Sequence, residues 1–386
     1  MTFPGTTAIA GIGATEFSKD SGRTELRLAV EAVGAALADA GIPASDVDGM
    51  VTFTMDSNEE IEIARALGMG ELTFFSRIGY GGGAACGVVH QAAMAVASGA
   101  ANTVVCYRAL NGRSWRRFGT SIAGKPTSST IHYGWYLPFG LSTPAGWVAM
   151  FAQRYLHEHG ATTEDLGRIA VACRAFAATN PAAFFHERPI TLEEHQASRW
   201  IVEPLRLLDC CQESDGAVAV VVTSLERARD LAQPAAVIEA AAQGSGADQE
   251  EMTSYSRPSI TGLPEAAVVA RQLWEQSGLK PADIGTAVIY DPFTPFVLIQ
   301  LEEFGFCGPG EAAGFVRDTG IGPGGALPLN PNGGQLGEAY IHGMNGVAEG
   351  VRQIRGTAVN QIGGVDHVLV TAGVGVPTSG LILGRD

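Results

Sequence analysis

Two tyrosines stand where a phenol could move a proton. Tyr340 lies in the run Asn330-Pro331-Asn332-Gly333-Gly334-Gln335-Leu336-Gly337-Glu338-Ala339-Tyr340-Ile341-His342-Gly343-Met344-Asn345-Gly346, and Tyr290 opens Tyr290-Asp291-Pro292-Phe293 after an apolar stretch. A phenol has a reference pKa of about 10, so at neutral pH it is by default a proton donor. His342 is placed to tune Tyr340 or to contribute directly. Glycine amides form the second candidate group. Gly82 and Gly83 precede an alanine-rich helix, and Gly373 and Gly375 lie in a C-terminal glycine loop. N–H groups in such settings suit a developing oxyanion. Asp215 and Asp291 read as turn braces, Glu338 as a solvated loop carboxylate, and the vicinal Cys210-Cys211 as core.

The elements that must position these residues alternate between strand and helix. Thr7 to Ile12 reads as a buried strand. Thr24 is a plausible N-cap, followed by Leu26, Val30, Val33 and Leu37 at helical spacing until Gly41. Gly49 to Phe53 is a short strand, Tyr80-Gly81-Gly82-Gly83 feeds a helix ending near Gly99, and Thr103 to Cys106 is a strand. From about residue 111 to 209 aromatics, prolines and histidines increase, which predicts an inserted, mostly helical lobe. Asp215 to Val222, Ala287 to Tyr290, Val368 to Val370 and Gly380 to Leu383 read as strands, the last two as a closing antiparallel pair. The pattern predicts a layered α/β fold with largely parallel sheets. Each half holds a glycine turn feeding a helix, at Gly81-Gly82-Gly83 and at Gly333-Gly334, which points to a duplicated unit. The expected division is 1–255 and 256–386.

Composition excludes several classes. The net charge of −15 repels phosphate backbones, so nucleic acid is not an expected partner. No apolar run reaches membrane-spanning length, no signal peptide opens the chain, and the six cysteines show no disulfide or zinc spacing. A reduced, cytoplasmic setting is expected.

Four motifs in chain order resemble the thiolase superfamily, in its sterol-carrier-type branch: Tyr80 to Gly99, Ser214-Asp215-Gly216-Ala217, Tyr290 to Phe293, and Asn330 to Gly346. They span nearly the whole chain. The resemblance implies a five-layer α-β-α-β-α fold with two pseudo-duplicated halves and a loop lobe, a dimeric core and acyl-coenzyme A substrates. It also shows what is missing. The thiolase nucleophilic cysteine falls on Gly82, and the H-D-C-F or N-E-A-F element becomes Tyr290-Asp291-Pro292-Phe293. The histidine of G-H-P becomes Tyr340, and the second cysteine falls within Leu369 to Gly375, where none exists. This double tyrosine replacement resembles the steroid side-chain-cleaving aldolases of actinobacterial sterol catabolism. That family's activity is retro-aldol cleavage of a β-hydroxyacyl-CoA steroid to a 17-ketosteroid and propionyl-CoA, beside a small OB-fold partner with a zinc ribbon in an α2β2 complex.

A retro-aldol needs a base for the β-hydroxyl, a sink for the thioester enolate and an acid to quench it, but no acyl-enzyme. The only lysines, Lys19, Lys125 and Lys280, lie outside every motif, and the eight histidines show no ligand cluster, so neither a Schiff base nor a metal is expected in this chain. Tyr340 is placed near the substrate hydroxyl with Tyr290 as its counterpart. The alternatives are a non-catalytic lipid or acyl-CoA carrier, a residual thiolase or acyltransferase using Cys86, and a structural subunit of a larger complex. The aromatic stretch His132 to Gly140 could line a sterol pocket or pack the lobe, and Arg113-Ser114-Trp115-Arg116-Arg117 is the densest basic cluster.

Overall fold

The computed structural model describes residues 4–115, 117 and 128–386. Strands β1 (Thr7–Ala14), β2 (Gly49–Phe53), β3 (Phe74–Ile78) and β4 (Thr103–Asn111) alternate with helices α1 (Glu25–Ala40), α2 (Glu60–Leu67) and α3 (Ala85–Ser98). The lobe follows, with α4 (Pro144–His159), α5 (Thr163–Thr179), α6 (Leu192–Ala197) and a small hairpin of β5 (Trp200–Val202) and β6 (Leu205–Arg206). The chain returns through β7 (Asp215–Ser224), α7 (Leu225–Ala228), β8 (Ala236–Gly244), α8 (Pro264–Ser277) and β9 (Thr286–Val288). It closes with α9 (Thr294–Glu303), α10 (Ala312–Thr319), α11 (Gly334–Gly337), α12 (Met344–Arg355), β10 (His367–Ala372) and β11 (Thr378–Arg385).

Local signals account for the helix ends. The Thr24 hydroxyl accepts from the Arg27 amide at 3.2 Å, and Gly41, at φ 70°, stops α1 in the left-handed conformation that glycine adopts without strain. Gly99, at φ 76°, ends α3 in the same way.

The sheet order is β3-β2-β4-β7-β1-β8-β11-β10-β9. It contains the duplication. Read from outside to the middle, β2 runs parallel to β4, and β7 and β1 then follow antiparallel. On the other side β9 runs parallel to β10, and β11 and β8 follow antiparallel. The halves meet at a short β1–β8 pairing. The sheet is thus mixed rather than largely parallel, because β7 and β11 each return against their neighbour, β11 by a short glycine turn of the kind only antiparallel strands permit. The expected boundary at 255/256 falls in the segment between β8 and α8.

Strand residues alternate between two faces. Val218, Val220, Val222, Val368 and Val370 pack with α3 and α12 in a central core. Ala217, Ala219 and Val221 face α1, and Ala240, Ala242 and Leu369 face α8 and α9. The two halves of the sheet thus pack on either side of α3 and α12, and the layers are helix, half-sheet, helix pair, half-sheet, helix. Almost every side chain of α12 is buried, which fits its central place. The lobe helix α5 lies on the glycine run, where a Cβ at Gly333 or Gly337 would come within 2.6 or 2.7 Å of Ala177 Cβ.

Candidate active site

Tyr290 stands two residues past the end of β9, and its backbone is held by a closed set of bonds. Its amide donates to Thr371 Oγ1 at 2.9 Å, its carbonyl accepts from Gln300 Nε2 at 2.7 Å, and the Thr371 hydroxyl donates to Gln300 Oε1 at 2.6 Å. Its ring runs to the start of the α3 segment. A Cβ at Gly82 would lie 1.9 Å from the Tyr290 hydroxyl oxygen. A side chain at Gly82 and the Tyr290 hydroxyl therefore cannot coexist, and the phenol fills the space a nucleophile would take. Tyr340 meets it from the opposite loop, with the Tyr290 hydroxyl donating to the Tyr340 hydroxyl at 3.1 Å.

The loops carrying the tyrosines are pinned at several points. The buried Asp291 accepts from the Gln335 amide at 2.7 Å and the Leu336 amide at 3.4 Å. Burial pushes its carboxyl up to about 7 in spite of those amides. The turn-brace reading holds there and at Asp215, whose carboxylate accepts amides of Ser21, Arg113 and Ser114. Glu338 departs from expectation. It is not solvated but buried, and its carboxylate accepts from Asn332, from Asn345 at 2.9 Å and from Asn180 at 3.3 Å. Three asparagine amides replace the water that a loop carboxylate would otherwise need.

The segment 210–214 lies alongside both tyrosine loops, a role absent from the core reading of Cys210-Cys211. The Cys211 amide donates to Pro292 O at 2.8 Å, and the Tyr340 amide donates to Ser214 Oγ at 3.2 Å.

His342 sits at φ 52°, stacked on Phe53 at 6.1 Å and edge-on to Tyr340 at 5.1 Å. Arg108 Nε donates to its Nδ1 at 3.1 Å. Burial, and then the Arg108 charge, hold the imidazole well below its ordinary pKa, so it is neutral. Burial also raises both phenols above the ordinary value; at Tyr340 the Tyr290 hydrogen bond and the Arg108 charge oppose that rise. Both tyrosines are thus protonated at neutral pH, and Tyr340 is the one better able to carry partial negative charge.

Two of the four glycine amides are already engaged. Gly83 N–H donates to Tyr80 O at 2.9 Å and Gly375 N–H to Glu265 Oε1 at 3.0 Å, so neither is an oxyanion donor as expected. Their loops instead interlock. A Cβ at Gly373 would lie 2.5 Å from Gly83 Cα, and one at Gly83 would lie 2.0 Å from Pro377 O. Gly82 and Gly373 stay as the candidate donors.

Cys86 is buried inside α3 with its sulfur 3.6 Å from Val370 O, and burial pushes its thiol far above the usual range. It is no nucleophile. The aromatic stretch mainly packs the lobe. Tyr133 stacks on Trp147 and donates to Glu251 O at 3.0 Å, and Tyr136 meets Tyr255 edge-on, while Trp135 and Phe139 are exposed. In the basic cluster Arg117 pairs with Glu213 at 2.6 Å, and Arg116 lies outside the described residues. Among the described residues no three His, Cys, Asp or Glu side chains group as a metal site, and no helix is long and apolar enough to cross a membrane.

A family model described as thiolase C-terminal domain-like matches residues 244–385. A steroid side-chain-cleaving aldolase from Thermomonospora curvata is 67% identical over 386 residues, covering 99% of both chains. A 17-hydroxy-3-oxo-4-pregnene-20-carboxyl-CoA lyase from Mycobacterium tuberculosis is 65% identical, covering 98% of this chain and 99% of that one. The solved Ltp2-ChsH2(DUF35) aldolase superposes with a TM-score of 0.96 at 66% identity, covering 100% of this chain and 99% of that one. The chain belongs to the steroid side-chain-cleaving aldolases, carbon–carbon lyases built on the thiolase fold.

Proposed function

We propose that this chain cleaves a 17-hydroxy steroid carboxyl-CoA by retro-aldol reaction, releasing a 17-ketosteroid and propionyl-CoA. The observation that carries the reading is the Tyr290 hydroxyl standing in the space of a Gly82 side chain and bonded to Tyr340 at 3.1 Å. The substrate class is supported by the activity named for the relative from M. tuberculosis.

The two phenols form a relay. The substrate hydroxyl passes its proton to Tyr340 as the bond between the carbinol carbon and the α-carbon of the thioester breaks. The bonding pair moves into the thioester as an enolate. Tyr340 passes its own proton to Tyr290, and Tyr290 protonates the α-carbon. Hydroxyl rotors can reverse the donor sense of a tyrosine pair, so this needs no rearrangement of the rings. Both tyrosines end as they began, and neither has to exist as a free phenolate, which suits two phenols whose pKa values burial raises. The Gly82 and Gly373 amides and His342 are the donors assigned to the enolate oxygen. No cofactor is assigned to this chain.

We further infer a homodimer core joined by a small partner with an OB-fold and zinc ribbon, any zinc belonging to that partner. The support is that the solved relative is the Ltp2-ChsH2(DUF35) aldolase. The test is incubation with a 17-hydroxy steroid carboxyl-CoA, with and without such a partner, read by mass spectrometry. Equal yields of ketone and propionyl-CoA are expected. Tight binding without products in both arms would make the chain an acyl-CoA carrier.

A further inference from the structure

We propose that Arg108 is a positioning residue that fixes the tautomer of His342, so that the imidazole carries its hydrogen on Nε2, the ring nitrogen nearer Gly81.

Arginine has only donors and no acceptor. Arg108 Nε–H faces His342 Nδ1 at 3.1 Å, so Nδ1 must be the acceptor. A neutral imidazole with an accepting Nδ1 carries its hydrogen on Nε2. The other tautomer, and the imidazolium, would set an N–H against an N–H. One contact therefore excludes two of three states.

That contact rests on a rigid base. Arg108 lies in the buried strand β4, and its Nη1 donates to Asp56 Oδ2 at 2.9 Å and to Ala109 O at 2.7 Å. Asp56 is saturated: Oδ2 also accepts the Ala109 amide at 2.9 Å, and Oδ1 accepts the Asn58 amide and side chain at 2.9 and 2.8 Å. Asp56 and Arg108 are both nearly inaccessible. A buried ion pair is weak grounds for stability, since its desolvation offsets its attraction, so a purely structural role is not the default explanation. The ring is stacked on Phe53 and meets Tyr340 edge to face, and its Nε2 lies 3.6 Å from where a Cβ at Gly81 would be. Gly81 adjoins Gly82, and the ring itself meets Tyr340 at 5.1 Å, so the tautomer sets what the imidazole presents beside the tyrosine pair. A neutral N–H donor stabilises a developing enolate without giving its proton away. What the N–H does thus rests on the lyase reading, while the tautomer itself does not.

The test is nitrogen-15 NMR of histidine-labelled full-length protein, with the His342 signals assigned by His342→Gln. A protonated Nε2 and an unprotonated Nδ1 are expected in the wild type. Arg108→Met should populate both tautomers and lower kcat roughly 10- to 100-fold, the scale seen when an orienting partner is removed, with KM little changed. Arg108→Lys, which keeps a donor, should recover most of both readouts. A protonated Nδ1 in the wild type overturns the proposal, and so does a folded Arg108→Met variant with unchanged kcat. If Arg108→Met does not fold, the wild-type spectrum still decides. A protonated Nε2 in a wild type that cleaves no steroid thioester would refute the lyase reading and leave the tautomer assignment standing.

Discussion

At the scale of the residue, the site turns on one substitution of space. Gly82 exists so that Tyr290 can reach Tyr340, and the reverse holds as well, because a Cβ there would sit 1.9 Å from the phenol oxygen. Gly82→Ala should therefore displace Tyr290 and abolish cleavage, with a loss of about 1–3 kcal/mol of stability from overpacking. Placing the thiolase nucleophile there by Gly82→Cys should likewise give no thiolase activity. Steady-state cleavage and denaturant midpoints check both; an active Gly82→Ala variant would mean that Tyr290 is not where the chemistry happens. Both tyrosines were legible in the sequence because they occupy positions where a related fold keeps its reactive groups. Arg108 and Asp56 were not. The strand read from the sequence stops at Cys106, whereas β4 continues to Asn111 and carries Arg108, and strand periodicity cannot tell which distant loop such a group will meet. The engaged amides of Gly83 and Gly375 were also hidden, since their acceptors, Tyr80 O and the Glu265 carboxylate, are matters of turn geometry and tertiary contact.

At the scale of the element, the lobe helix α5 and the glycine run act together. The turn at Gly333 takes φ 108°, and a Cβ there would lie 2.6 Å from Ala177 Cβ. Gly333→Ala should cost about 1–3 kcal/mol through strain and overpacking, and should reduce cleavage because α5 and the Tyr340 loop can no longer close on each other. Ala177→Gly in that background should recover part of the loss, measured by unfolding midpoint and rate. No recovery would mean that α5 does not set the loop. Helix boundaries such as Thr24 to Gly41 were readable because caps are local chemistry. The β5–β6 hairpin and β8 went unread. The first is only a few residues long, and the second, Ala236–Gly244, has four alanines among its nine residues and only the β-branched pair Val237-Ile238 to mark a strand.

At the scale of the whole molecule, two carboxyls buried by the layered fold leave a signature in pH. Burial raises Asp291 and Glu349 each to about 7, from ordinary values of 3.8 and 4.5. The folded state then holds protons that the unfolded chain has released. Their stabilising contribution is complete below about pH 4 and is lost as pH rises through 7. His342 acts in the opposite sense, because its depressed pKa removes stability as pH falls below 6.5. An Asp291→Asn, Glu349→Gln double variant should therefore gain stability relative to wild type as pH rises from 5 to 8. A difference that does not change with pH would contradict the burial account. The duplicated strand order was foreshadowed by two glycine turns feeding helices, but its mixed direction was not, because direction is set by which neighbours pair and not by any single strand's composition.

The central claim is that a pair of phenols does the work here that a thiol and an imidazole do in thiolases. The most direct test compares single-turnover cleavage of a 17-hydroxy steroid carboxyl-CoA by the wild type, Tyr290→Phe and Tyr340→Phe, each confirmed to be folded. The account predicts that each single variant loses on the order of 10²- to 10⁴-fold, the range for a general acid or base, and that the double variant is little worse than either, since one relay is broken in all three. Cleavage at the wild-type rate by either folded variant would contradict it.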